Sequence, residues 1–274
     1  MESSVRPFLV AVDGSEDSWA ALAWTARAAT RVGTPIRVLH VAQTTGGLAE
    51  VLLRPGPEPS QDDPVTEEAV QRVRAAAPGV EVATQVVAGD PKHVLPSQSR
   101  GAALLVVGAR GLSGLRGWLA GSVSRAAAGY ARCPVVVHKP TEDTVGGPVL
   151  IGLDPMDPRP EVLTFAASAA RALDAPLRLV VGDLPPSDRA DTARDELEAV
   201  LTALRQEQPT LDVSAEYSIR DESDWLVELS RTAELVAVGR ELSGLLMTDP
   251  LGRAADALLD QARCPVAVIP GRGH

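Results

Sequence analysis

Aromatic residues are scarce: two Phe, two Tyr and four Trp make up 3% of the 274 residues. Stacking platforms for bases are therefore few, which argues against a single-stranded nucleic-acid groove. A basic surplus is missing as well. With 26 Lys and Arg against 36 Asp and Glu, the net charge is −10, opposite in sign to what a phosphate backbone selects, so no nucleic-acid partner is expected. Only two cysteines occur, Cys133 and Cys264, each in Ala-Arg-Cys-Pro-Val and neither in a CxxC pair. Buried packing is their expected role. No apolar run approaches the roughly 18 residues of a membrane span, and the opening residues do not pass from a basic segment into an apolar one; no membrane contact and a cytoplasmic location are expected. His40, His93, His138 and His274 are scattered, and neither Ser122 nor Ser124 lies in a G-x-S-x-G elbow. No catalytic residue is assigned.

What the chain does contain is a repeat. Ala131-Arg-Cys-Pro-Val-Val-Val returns as Ala262-Arg-Cys-Pro-Val-Ala-Val, and Leu104-Leu-Val-Val-Gly108 as Leu235-Val-Ala-Val-Gly239, both at an offset of 131 residues. Phe8-Leu-Val-Ala-Val-Asp13 matches Val149-Leu-Ile-Gly-Leu-Asp154 at an offset of 141. The second copy has thus lost about ten residues between its first strand and its loop, and the Gly- and Pro-rich stretch at 46–61 has no counterpart. Repeats of this length are duplicated domains, here 1–141 and 146–274. Charge divides unevenly between them: residues 1–141 carry +2 and residues 142–274 carry −12. Either the second half has a solvated acidic surface or only the first half must tolerate an anionic ligand.

Each copy alternates strand and helix. In the first, the apolar run 8–12 predicts a strand covered on both faces. Ser15 is a candidate N-cap, and Trp19, Leu22, Ala23, Ala26 and Ala29 recur at helical spacing as far as Gly33. Strands follow at 36–41, 80–87, 102–107 and 134–138, with helices at 65–76, 91–100 and 121–131 between them. The second copy repeats this, with helices at 159–173, 189–206, 224–231 and 253–261. Such alternation predicts an α/β fold: two tandem doubly wound, Rossmann-like domains, each with a parallel sheet and helices on both sides. Ligands then sit at the carboxyl ends of the strands, where the strand order reverses.

One stretch is suited to that place. After the fourth strand comes Gly108-x2-Gly111-x9-Gly121-Ser122, with further glycines at 114 and 117. Glycines let backbone N–H groups approach a ligand, and a helix opening at Gly121-Ser122 turns its positive end toward phosphate. No G-x-x-x-x-G-K-[ST] is present, and the first strand runs into Val12-Asp13-Gly14-Ser15, not G-x-G-x-x-G. Two structural alternatives stay open: a packed loop without ligand, and Asp13 as a simple helix cap. Arg110, Arg116 and Arg125 either add positive charge near phosphates or face solvent.

Together with Val10-Ala-Val-Asp13-Gly-Ser, His40-Val41 and the closing Cys-Pro-Val-Val-Val, this loop resembles the universal stress protein family, in its ATP-binding branch and tandem arrangement. The resemblance implies five parallel strands per domain and an adenine nucleotide across their carboxyl edge. Asp13 and the backbone of Val41 would contact adenosine, Gly108 would lie near the ribose, and Gly111, Gly121, Ser122, Val123 and Ser124 would cradle the phosphates of ATP. Mg²⁺ would accompany the triphosphate, bound mainly by phosphate oxygens. Single-domain members pair through their last strands, so residues 135–138 and 266–269 are expected to pair within the chain; a homodimer of the tandem chain stays open.

The second copy departs from this pattern, with Leu242 at the place of Gly111, Arg253 at Ser122 and Ala255 at Ser124. Its site is expected not to bind ATP in the family's manner. Asp154 and Asp157 suggest a metal pair or, more simply, helix-entry carboxylates. Three readings compete: an ATP-binding, nucleotide-dependent stress-response or regulatory protein; a slow ATPase or related nucleotide enzyme; and an interaction scaffold without nucleotide.

Overall fold

The central apolar runs become strands covered on both faces, whereas the strands at 82–88 and 213–217 keep exposed positions. The computed structural model describes residues 5–42, 63–111, 120–139, 146–154, 157–182, 187–240 and 251–271, and the chain divides into two compact units, Met1–Lys139 and Pro140–His274. In the first, the order is β1 (Phe8–Val12), α1 (Glu16–Val32), β2 (Ile36–Ala42), α2 (Pro64–Ala76), β3 (Val82–Ala88), α3 (Pro91–Gln98), β4 (Leu104–Gly108), α4 (Ser122–Tyr130) and β5 (Val135–His138). Every pairing is parallel and the strands lie in the order β3-β2-β1-β4-β5. The order reverses at β1 and β4, which are neighbours.

In the second unit, β6 (Val149–Gly152), α5 (Pro160–Leu173), β7 (Leu177–Val181), α6 (Ser187–Glu207), β8 (Val213–Tyr217), α7 (Glu222–Leu229), β9 (Leu235–Gly239), α8 (Arg253–Gln261) and β10 (Val266–Ile269) give the equivalent parallel order β8-β7-β6-β9-β10. The α/β, parallel, strand–helix alternating architecture is the one the sequence predicts. No helix among the described residues is long and apolar enough to cross a membrane.

Small side chains bring helix and sheet close in this aromatic-poor chain. Ala21, Ala26, Ala28 and Ala29 of α1 are buried with Leu22 and Trp24, over a sheet in which Leu9, Val10, Leu105 and Val106 are fully enclosed. Each enclosed Leu or Val contributes about 1.5–3 kcal/mol. Ser15 caps α1, its Oγ accepting the Ser18 N–H at 3.2 Å, and Gly33 closes the helix in the left-handed region at φ 72°. Both thiols are buried just ahead of a last strand. Burial pushes the Cys133 thiol up to about 12.

Most element boundaries differ from the sequence reading by one or two residues, among them the end of α3 and the start of α5. Helix α3 stops at Gln98, short of the expected residue 100, and passes into a 3₁₀ turn, Ser99–Gly101, in which the Ala102 N–H donates to the Ser99 carbonyl. Helix α5 starts at Pro160, with Arg159 held at φ 42° and ψ 86°. A residue before proline is disfavoured in the helical region, and a non-glycine residue at positive φ is strained by about 1–3 kcal/mol.

Candidate functional site

The carboxyl edge of the first sheet is built around the end of β1. Asp13 directs Oδ1 at Ser15, accepting its N–H at 3.0 Å and its O–H at 2.6 Å. Ser15 takes the capping role, so Asp13 is not the N-cap of α1. The second oxygen of Asp13 reaches the loop that follows β4. A Cβ on Gly111 would come within 2.6 Å of Asp13 Oδ2, a distance that real side chains do not tolerate. Glycine at 111 is therefore what lets the loop lie against this carboxylate, 98 positions back in the chain.

Gly108, at the end of β4, has an equally local reason. A Cβ there would meet the Asp17 carbonyl carbon at 2.8 Å and the Ser18 nitrogen at 3.0 Å, so the strand end packs directly on the first turn of α1. From this point the chain is held on several sides. The Ala109 N–H donates to the His138 carbonyl at 2.9 Å, and the Ala109 carbonyl accepts from the Gly121 N–H at 2.7 Å and the Ser124 hydroxyl at 3.0 Å. Arg110 donates its backbone N–H and its Nε–H to Asp17 Oδ2, at 3.1 and 2.9 Å, and an Nη2–H to Oδ1 at 3.1 Å. Asp17 is buried, and this bond holds the guanidinium pKa above its usual value.

Helix α4 starts beside this loop. Gly121 is its N-cap at φ −70° and ψ 164°, and no side chain caps it. Ser122 is exposed, Val123 half-buried and Ser124 buried. The Ser124 hydroxyl faces the Ala109 and Gly121 carbonyls, so its proton serves the loop. Four predicted residues, Asp13, Gly108, Gly111 and Gly121, thus meet at one edge with the start of α4, which presents first-turn N–H groups suited to an anion. Val41 lies further along that edge on β2, paired with Val87 of β3. Its neighbour His40 donates Nδ1–H to the Val12 carbonyl at 2.8 Å and lies 3.9 Å from Asp63, the N-cap of α2. The calls on Gly114, Gly117, Arg116 and Leu242 fall outside the described residues.

Sequence reasoning missed Asp17 and His138. Asp17 reads as an ordinary first-turn acid, and only the adjacency of β1 and β4 reveals its partner. His138 is buried beside Trp24, with ring centroids 6.4 Å apart and no hydrogen-bond partner for Nδ1 among the described residues. Burial, reinforced by the charge of Arg27, lowers its pKa to about 4.

The second unit closes the corresponding edge with its own side chains. Arg159 lies over Gly239, where a Cβ would meet its Cδ and Nη1 at 3.1 Å, and Nη1–H donates to the Arg240 carbonyl at 2.9 Å. Asp157 pairs with Arg159 at 3.4 Å, and no group of three or more His, Cys, Asp or Glu suited to a metal occurs among the described residues. Gly182, which corresponds to Val41 at the 141-residue offset, is covered by the backbone and Cβ of Glu222 at the start of α7. Arg253 forms an ion pair with Asp221. What is left is a cleft of about 200 Å³ lined by Asp154, Asp157, Arg159 and Glu222 with Leu153 and Val162, below the roughly 300–1,000 Å³ of ordinary ligand sites.

Comparison with known proteins agrees over both halves. A universal stress protein of Mycolicibacterium smegmatis is 30% identical over 96% of this chain and 97% of its own length. The crystal structure of a universal stress protein from Archaeoglobus fulgidus covers 100% of both chains at 21% identity, with a TM-score of 0.73. A universal stress protein solved in complex with cAMP aligns with 49% of this chain at 25% identity and a TM-score of 0.36. The universal stress protein family matches twice, at residues 4–139 and 147–270, and the chain belongs to that family, with two of its domains in tandem.

Proposed function

We propose that the first unit binds ATP with Mg²⁺ and that nucleotide occupancy makes the protein a regulatory member of a stress response. The observation that carries this reading is the meeting of Asp13 with Gly111 beside the start of α4, which has no side-chain cap. Asp13 supplies an acceptor for a nucleoside, and the N–H groups of Ser122, Val123 and Ser124 supply donors for phosphates. Gly108 and the backbone of Val41 complete the edge. ATP bound here would bring the metal ion on its own oxygens, with the chain orienting the phosphates.

The role of the second unit in this reading is structural or regulatory, a view supported by the packing of Arg159 on Gly239 and of Glu222 on Gly182 at its strand ends. Calorimetric titration of the full chain with Mg²⁺ and ATP is expected to give one saturable site per chain, weakened at least about tenfold in Gly111→Leu. Absence of adenine nucleotide from the purified protein, combined with no heat of ATP binding, would sink the reading.

A further inference from the structure

We propose that Asp17 and Arg110 form a charge-neutral latch that sets the phosphate-facing loop of the first unit and gives its site a preference for polyphosphate. The inference rests on the nucleotide reading and assigns Arg110 a role other than phosphate ligand. Three hydrogen bonds join the pair at 2.9–3.1 Å, one of them from the Arg110 backbone. That backbone bond places a carboxylate one residue before Gly111, at the mouth of the proposed cradle.

An uncompensated carboxylate there would oppose every phosphate brought to the loop, because charges a few ångströms apart in a partly buried site are weakly screened. Arg110 cancels that charge in place, as a planar fork that engages both Asp17 oxygens. Adenosine carries no charge and is indifferent to this term. The second unit cannot build the latch: its residues at the two positions are Pro158 and Glu241. Asp17 and Arg110 are thus positioning residues, acting through the loop and through the field at its mouth.

The test compares ATP and adenosine on the full chain. In Arg110→Gln, ATP affinity is expected to fall about tenfold with adenosine affinity unchanged within about twofold, and adding Asp17→Asn should bring ATP back to within about threefold of the wild type. An equal loss for both ligands, no loss for ATP, or no recovery in the double variant would overturn the proposal. Hydrogen exchange without ligand gives a second reading: the Arg110 amide should exchange faster in Asp17→Ala, and unchanged exchange also overturns the latch. A wild type that takes up neither ATP nor adenosine fails the nucleotide reading itself, whereas binding of both with the wrong variant pattern fails the latch alone.

Discussion

The two units share a strand order and differ at the rim. Both place an apolar pair of central parallel strands beneath their helices, and Leu105 and Val106 have counterparts in Val236 and Ala237, all buried. At the carboxyl edge the resemblance ends. Where Gly108 receives the first turn of α1, Gly239 receives the side chain of Arg159; where Val41 lies near the end of β2, Gly182 is covered by Glu222. A duplicated sheet can therefore keep its core and lose its site through a few side chains, because core packing depends on the strand faces and ligand approach on the strand ends.

The largest effect that separates the units is expected at His138, whose counterpart at the 131-residue offset is Ile269. Its folded pKa of about 4 lies below the ordinary 6.5, so the unfolded chain binds the proton more readily between those values. Stability of the first unit is then fully present above pH 6.5 and falls as the pH drops toward 4, by about 3 kcal/mol in all. Urea unfolding followed by tryptophan fluorescence should show this loss in the wild type and not in His138→Ile; parallel pH profiles would contradict it.

A smaller contrast involves Ser124, replaced by Ala255 in the second unit. Ser124→Ala leaves the Ala109 and Gly121 carbonyls without the hydroxyl, and a loss of about 1 kcal/mol is expected in the same unfolding measurement. The smallest effect belongs to Arg253→Ser, which restores the residue type found at Ser122. Its ion pair with Asp221 is largely exposed on the arginine side, so stability should move by less than about 1 kcal/mol. Calorimetry should still detect no ATP binding in the second unit while Arg159 and Leu242 remain; binding there would break the contrast between the units.

Much of the fold could be read directly. Continuous apolar runs such as 8–12 and 102–107, short and set between helical spacings, read as strands covered twice, and the repeated Ala-Arg-Cys-Pro-Val revealed the duplication. The meeting of Asp13 with Gly111 was legible because the switch-point geometry makes β1 and β4 neighbours. Other contacts left no local signal. Asp17 and Arg110 are 93 positions apart and each is unremarkable in its own segment. Arg159 also reads as a helix residue, since the left-handed backbone that carries it over Gly239 depends on Pro160 and on the packing of the second sheet. Glu222 covers Gly182 only because α7 comes down on the end of β7.

The two buried thiols bear on the setting in which such a protein can work. Peroxides and disulfides are attacked by thiolate, and a group with a pKa of about 12 is ionised in only about one molecule in 10⁵ at pH 7. Cys133 is thus slow to oxidise, and Cys264 is fully shielded from solvent. Oxidant that would cross-link exposed cysteines elsewhere therefore has no ready access to either thiol of this chain.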